Sequence, residues 1–473
     1  MKFRKFGKTV LTAAHSSAIV ISHSSCVRSF TVGYLYVTGT STAQPSAAGL
    51  ISGFKINNDN GRLVAMDGLP VSSGGANPVR AVLLTGGNFV YVLNRGVNSS
   101  GGSVCTATDP CGSPNITEFA VGGNGILTPQ NTFYTQGFNP VRLISDTTGA
   151  FLLALDQNAP GTTNPAAPSS ATNPNAYCMS QLATPTCGDI TIFSINSTTG
   201  RLSLVTNAQL TSSSGSQVTY FPVPANPIDF TMASGYVMTL AGAPSPSPTS
   251  VVTNAALGQV VYPYTYNSTN GQLSESQSTV QYITNGLGNP VGQGTAIVYA
   301  SSRIYIIDNE ILANGVPGQI LPYTVGTNGA LQSLVGGAVA DDPSQTSPVY
   351  LMVESKAKYL YLANQQGANI DEGAGIVAYV IDPTSSQLTE DSGSPFLVEQ
   401  TGVSSPTGTG ASPQCILEDP SDQFIYTANA GDSTVTGKVL DPNSGALTTM
   451  TGWTGSIGLQ GPATWCVVTG RTN

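Results

Sequence analysis

The stretch GFKINNDNGRL, residues 53–63, decides the fold. Its first half alternates apolar and polar side chains, the pattern of a strand with one buried face. Its second half supplies Asn and then Gly, which give the positive φ values that a tight hairpin turn demands. The closing Leu63 is the first apolar anchor of a second strand. The same turn recurs six more times: GGNGIL ending at Leu127, STTGRL at Leu202, STNGQL at Leu273, GTNGAL at Leu331, PTSSQL at Leu388 and PNSGAL at Leu447. Six of the seven place Gly two residues before the Leu, and Ser386 alone departs. An aromatic stands six or seven residues before that position in six units: Phe54, Phe119, Phe193, Tyr264, Tyr323 and Tyr379. Lys438 replaces it in the seventh.

Two further elements keep step with the turn. One is a short apolar strand: LYVTG from Leu35, VYVLN from Val90, LLALD from Leu152, VMTLA from Val237, IYIID from Ile304, LYLAN from Leu360 and IYTAN from Ile425. The other is a strand led by proline, at Pro78, Pro140, Pro227, Pro290, Pro348 and Pro413. Four strands per unit in a fixed order make the blade of a β-propeller. The chain enters on LYVTG without a Pro-led strand before it and ends on GPATWCVV, at Pro462, without a sequel. The last strand therefore completes the first blade and removes the open edge. The expectation is an all-β, seven-bladed propeller of four-stranded antiparallel blades over residues 33–473, with almost no helix.

Composition agrees. Only 9% of the 473 residues are charged, and no window carries the run of Ala, Leu, Glu, Lys and Arg that a long helix needs. The stretches 97–114, 158–187, 243–256 and 399–411 are rich in Gly, Ser, Thr, Pro and Asn and read as surface loops. A net charge of −9 with no basic stripe argues against nucleic acid as a partner.

Residues 1–26 read as an export signal. Lys2, Arg4, Lys5 and Lys8 precede a short, partly apolar stretch and then HSSC. Cys26 after small residues is similar to the lipobox cysteine of bacterial lipoproteins, which would attach the chain to a membrane. The departures from that pattern are His15 within the apolar run and His23 three residues before the cysteine. The expected location is the periplasm or cell surface.

Six cysteines remain, and six allow 15 pairings. Close spacing favours Cys105 with Cys111 and Cys178 with Cys187, which leaves Cys415 with Cys466. The last two fall on the Pro-led strands of blades seven and one, at even offsets from Pro413 and Pro462, so a bridge or a pair of buried thiols fits there. The spacings do not suit zinc, and no histidine follows His23.

LYVTG, GFKINNDNGRL, NPVRAVLL and FIYTANAGDSTVTGKVLDPNSGALT together resemble the lactonase-like family of seven-bladed propellers, which includes 6-phosphogluconolactonase-type enzymes. The resemblance covers nearly the whole chain beyond the signal. It implies an Arg-His pair on the Pro-led strand near the central channel; the matching arginines are Arg80 and Arg142, followed by Ala81 and Leu143. The equivalent position around the ring reads Arg80, Arg142, Asp229, Gly292, Tyr350, Cys415 and Thr464. Two arginines there can grip a carboxylate or phosphate, or pair with Asp229 and only line the wall. Glu354 and Glu418 stand at the ends of Pro-led strands. Asp156, Asp308 and Glu310 stand at or after the ends of the LYV-type strands, where Asx residues commonly bond to neighbouring backbone. Asp308, Asn309 and Glu310 lack the spacing of a calcium loop.

No nucleophile elbow, phosphate loop or dinucleotide signature is present, so no cofactor is expected. Two functions follow. One is an exported propeller that binds a protein, glycan or small molecule without strong catalysis. The other is a hydrolase of sugar lactones, using Arg80 and Arg142 with Asp229 or Glu354.

Overall fold

A computed structural model describes residues 30–470 apart from 43–47, 103–110, 161–186, 212–214, 243–257, 278–279, 312–316, 368–372, 399–410 and 451–454. The signal segment with Cys26, and also Cys105 and Cys178, lie outside the described residues. Seven antiparallel sheets form a closed ring. Their inner strands are Ala463–Gly470, Pro78–Leu83, Phe138–Ser145, Pro227–Ala233, Gly294–Ala300, Gln345–Val353 and Pro413–Glu418, for blades one to seven. Blade one is closed by the C-terminal strand, which pairs with Thr31–Thr40 through Leu35↔Val468, Tyr36↔Val467 and Val37↔Cys466. The fourth strand is continuous only in blade two, Leu127–Phe133. In the other six blades it is broken into two short pieces that pair with opposite ends of the third strand, as Leu63–Ala65 and Val71–Ala76 do in blade one. The only described helix is a 3-10 turn at Thr327–Gly329.

The core lies between the faces of neighbouring blades. Leu35, Val90, Leu152, Val237, Ile304, Leu360 and Ile425, one from each second strand, are all fully buried. The repeated turn is part of this packing. Tyr36, Tyr91, Tyr361 and Tyr426 on second strands each donate their hydroxyl to the carbonyl of the turn glycine in the next blade. The acceptors are Gly125, Gly200, Gly445 and Gly61, and Tyr426 to Gly61 spans the seam between blades seven and one. Two residues earlier an aromatic ring lies against the same glycine: a Cβ on Gly445 would sit 2.4 Å from the ring of Tyr359, and one on Gly61 would sit 2.4 Å from Phe424. The glycine is thus required by its neighbour as well as by its φ of 75° at Gly445.

The one departure from the repeat is matched by its partner. Ser386 holds the left-handed conformation at φ 61°, and the aromatic that would press on it is replaced by Arg303. Arg303 donates to the Ser386 hydroxyl at 2.9 Å. Lys438, in place of the third-strand aromatic, is 8% exposed, and burial pushes its amine down.

Two register readings need correction. In blade five the inner strand is Gly294–Ala300, whereas Pro290 makes only an isolated bridge to Thr284. Ala296, not Gly292, holds the channel position, because it pairs with Ile307 as Arg80 pairs with Leu93. In blade one Ala463 pairs with Gly39 where five of the other blades place proline, so Trp465, not Thr464, is the equivalent residue. A register break follows the leading residue of all seven inner strands. In five of them the preceding Asn or Ser has positive φ, as at Asn77 (51°) and Asn139 (56°).

Cys415 and Cys466 are bonded, with Cα atoms 6.0 Å apart. The parity argument for this bond fails, since Cys415 aligns with Trp465 and Cys466 is one residue further on. Adjacent blades meet through opposite faces, so opposite parity is what brings the two thiols together. Cys111 and Cys187 are also disulfide-bonded.

Candidate functional site

The corrected channel positions are Arg80, Arg142, Asp229, Ala296, Tyr350, Cys415 and Trp465. Each follows the register break of its inner strand, which aims it toward the axis. Five of these side chains converge from five blades. Arg142 Nε meets Asp229 Oδ1 at 2.7 Å, with both side chains buried. The Arg80 guanidinium lies over the Trp465 ring at 3.7 Å. Tyr350 meets Trp465 edge to face, 4.7 Å between centroids. Arg142 lies 5.2 Å from the centre of Tyr350 and 5.3 Å from that of Trp465. Cation–π contacts of this kind hold an arginine without consuming its hydrogen-bond donors. Arg95, just after the second strand of blade two, donates Nε to the Pro140 carbonyl at 3.0 Å and adds a third cation.

The charge balance is lopsided. Three guanidiniums share one carboxylate. Burial and then the neighbouring Arg142 together push Arg80 down to about 9, against the opposing pull of Asp229. Two buried donors, Arg80 Nε and Arg142 Nη1, have no hydrogen-bond partner. Unpaired donors on cations in a desolvated site cost free energy that an anion would recover.

Asp229 is poorly placed as a base. Besides Arg142 it accepts the amides of Phe230 at 2.8 Å and Ile297 at 3.0 Å. Burial raises its carboxyl, and this outweighs the two arginines that pull it down; proximity alone would suggest the reverse. Its oxygens are nevertheless occupied. Glu354 lies apart from the cluster, in the turn after the inner strand of blade six, and accepts the amides of Lys356, Lys358 and Tyr359. Asp419 does the same after blade seven, toward Ser421, Gln423 and Phe424. Glu418 accepts Ser355 N–H at 2.7 Å, and burial pushes it up to about 7. Asp308 is held by Gln319 at 2.7 Å, and Glu310 by Asn285. These carboxylates are each hydrogen-bonded to neighbouring backbone or amide groups.

Trp465 and Arg95 escaped the sequence reading. For Trp465 the signal was the aromatic inside GPATWCVV, hidden by the one-residue shift after Pro462. For Arg95 nothing in the repeat marks it.

Ring and cluster define a seven-bladed propeller whose inner strands bring arginines and aromatics together. Solved structures share this fold at low identity. A 6-phosphogluconolactonase-type protein from Bacteroides uniformis is 14% identical, with TM-score 0.59 over 93% of this chain and 100% of its own. A periplasmic gluconolactonase from Pseudomonas aeruginosa is 14% identical, with TM-score 0.57 over 93% and 99%. A hypothetical selenium-binding protein from Sulfolobus tokodaii is 8% identical, with TM-score 0.55 over 94% and 95%. No family model and no curated protein matches the chain. The chain therefore shares its seven-bladed propeller fold with these structures, and such folds host many chemistries.

Proposed function

We propose that this chain is an exported binding propeller whose channel takes a small sugar-acid anion, without strong catalysis. The observation that carries the reading is the pair of unpartnered buried donors, Arg80 Nε and Arg142 Nη1, in a site with three cations and one carboxylate. A carboxylate or phosphate oxygen satisfies both donors and offsets the excess charge. Gluconate and 6-phosphogluconate are the natural first ligands, because neighbours in fold are described as gluconolactonase and 6-phosphogluconolactonase. Opening a lactone needs a general base, usually His or an accessible raised carboxylate. The sequence holds no His beyond His23, and Asp229 already accepts two backbone amides and Arg142. Disulfides at Cys111, Cys187 and Cys415–Cys466 support an oxidising compartment.

The test is calorimetric titration with 6-phosphogluconate and gluconate, run beside a pH-stat assay on gluconolactone. The reading expects saturable binding that weakens at least tenfold, about 1.4 kcal/mol, in Arg80→Gln. It also expects little lactone opening. Brisk turnover abolished by Arg142→Gln in a folded variant would favour the hydrolase.

A further inference from the structure

Outside the channel, two buried carboxyls face each other with three of their four oxygens unpartnered. Asp156 closes the second strand of blade three, Phe151–Asn158, and Asp189 opens the third, Gly188–Ile195. The two residues stand directly opposite each other in the ladder. Facing residues on paired strands bring their Cβ atoms within about 4.5–5.5 Å. Both residues are completely buried. Neither oxygen of Asp156 has a hydrogen-bond partner of ordinary geometry, nor does Asp189 Oδ1. Thr191 donates to Asp189 Oδ2 at a long 3.3 Å. The Thr135–Gly137 segment packs against the pair, and a Cβ on Gly137 would lie 2.0 Å from Asp189 Oδ1 and 2.6 Å from Asp156 Cβ. Asp156 is eased only by Thr135, Gly137 and Thr191.

No cation answers these carboxyls. Among the described residues Arg142 is paired with Asp229 and Lys356 with Asp422, not with this pair. The charged group on the adjoining inner strand is Arg142, which sits across from Leu155 and is committed to Asp229. From the segment before Phe221–Val223 the titratable group is Tyr220, a neutral phenol that burial and Asp189 push up. Cys187 is disulfide-bonded and does not titrate. Two like charges in a dry site cannot both persist, and protonation is the cheapest relief.

We propose that Asp156 and Asp189 share a bound proton in the folded protein, forming a buried acid pair that latches the base of the blade-three insertion. The insertion leaves beside the pair: Ala159 N–H bonds the Cys187 carbonyl at 2.8 Å, and Ala159, Cys187 and Tyr220 pack together. The proton bridges the two strands where the insertion departs, and its loss leaves two repelling carboxylates there.

The sign of the pH effect follows. A carboxyl raised in the folded state keeps a proton that the unfolded chain has released. Its contribution is most favourable below the ordinary range near 4 and is lost as pH rises through the folded value. Burial raises both groups, Asp156 to about 8, and the charge of Asp156 pushes Asp189 up further. Stability therefore falls as pH rises from about 5 toward 9, and unfolding at pH 7 releases protons that the folded pair holds.

The experiment compares the full-length protein with Asp156→Asn, Asp189→Asn and the double variant, by urea unfolding across pH 5–9 and by infrared spectroscopy at pH 7. The proposal expects a falling profile in the parent and a flatter one in the variants. It also expects a protonated-carboxyl stretch in the parent that weakens in each single variant. Asparagine mimics the protonated acid, and either single variant serves if the other fails to fold. The infrared spectrum of the parent needs no variant at all. A parent spectrum without that band, or identical pH slopes in parent and variants, would overturn the proposal.

Discussion

Breaking the Cys415–Cys466 bond tests how the ring is held shut. The bond joins the inner strands of blades seven and one, which both come from the C-terminal part of the chain. It does not cross the seam to Thr31–Thr40, which stays hydrogen-bonded; it keeps the closing strand from peeling away from blade seven. The cysteines are 51 residues apart. Loop-closure entropy for a loop of that length amounts to roughly 4 kcal/mol at 25 °C, an upper figure because native strain and residual unfolded structure reduce it. The clean comparison is oxidised against reduced wild-type protein in urea, since no atom is removed from the core. The Cys415→Ala/Cys466→Ala protein serves as a check, with a further loss for the cavity left by two buried sulfurs. Hydrogen exchange should show the amides of Ala463–Gly470 losing protection before those of the blade-four strands. A loss below about 1 kcal/mol on reduction, with exchange unchanged in that strand, would refute the reasoning. Cys111 and Cys187 are also bonded, so their contribution is measured separately in variants that lack only those bonds.

The hydroxyl links between blades give a graded prediction. Tyr361→Phe and Tyr426→Phe each remove a buried bond and leave a glycine carbonyl unsatisfied, so each should cost about 1–2 kcal/mol in urea unfolding. Tyr305→Phe should cost nothing or stabilise slightly, because the Tyr305 hydroxyl is buried without a partner. Asp229→Ala should cost about 3–5 kcal/mol by stranding Arg142, and Arg142→Met combined with Asp229→Leu should recover much of it.

Much of the fold was legible because a propeller repeats its signals. The turn glycine, the short apolar second strand and the leading proline each report the same blade, so an error at one is outvoted by the others. Even Ser386 carried information, since its departure from glycine is answered by Arg303. Register was the weak link. Pro290 and Pro462 look like leading prolines, yet the inner strands of those blades take their position from Gly294 and Ala463. A slip of one residue exchanges the two faces of a strand, which is how Thr464 stood in for Trp465. The arginines and Asp229 were readable as channel residues, whereas Arg95 lies outside the repeat. The Asp156–Asp189 pair was half visible: Asp156 shares its position with Asn94, Asn364 and Asn429, but Asp189 becomes notable only when the ladder sets it opposite.

The central claim is that Arg80 and Arg142 hold an anion beside Trp465. The sequence has two tryptophans, so Trp453→Phe leaves Trp465 as the only indole. Titrating that protein with 6-phosphogluconate should change the Trp465 emission saturably, because the guanidinium 3.7 Å from the ring shifts to meet the ligand. Adding Arg80→Gln should abolish the change while the fold, read by circular dichroism, remains. Emission that never responds to the sugar acid, or that responds equally without Arg80, would contradict the account.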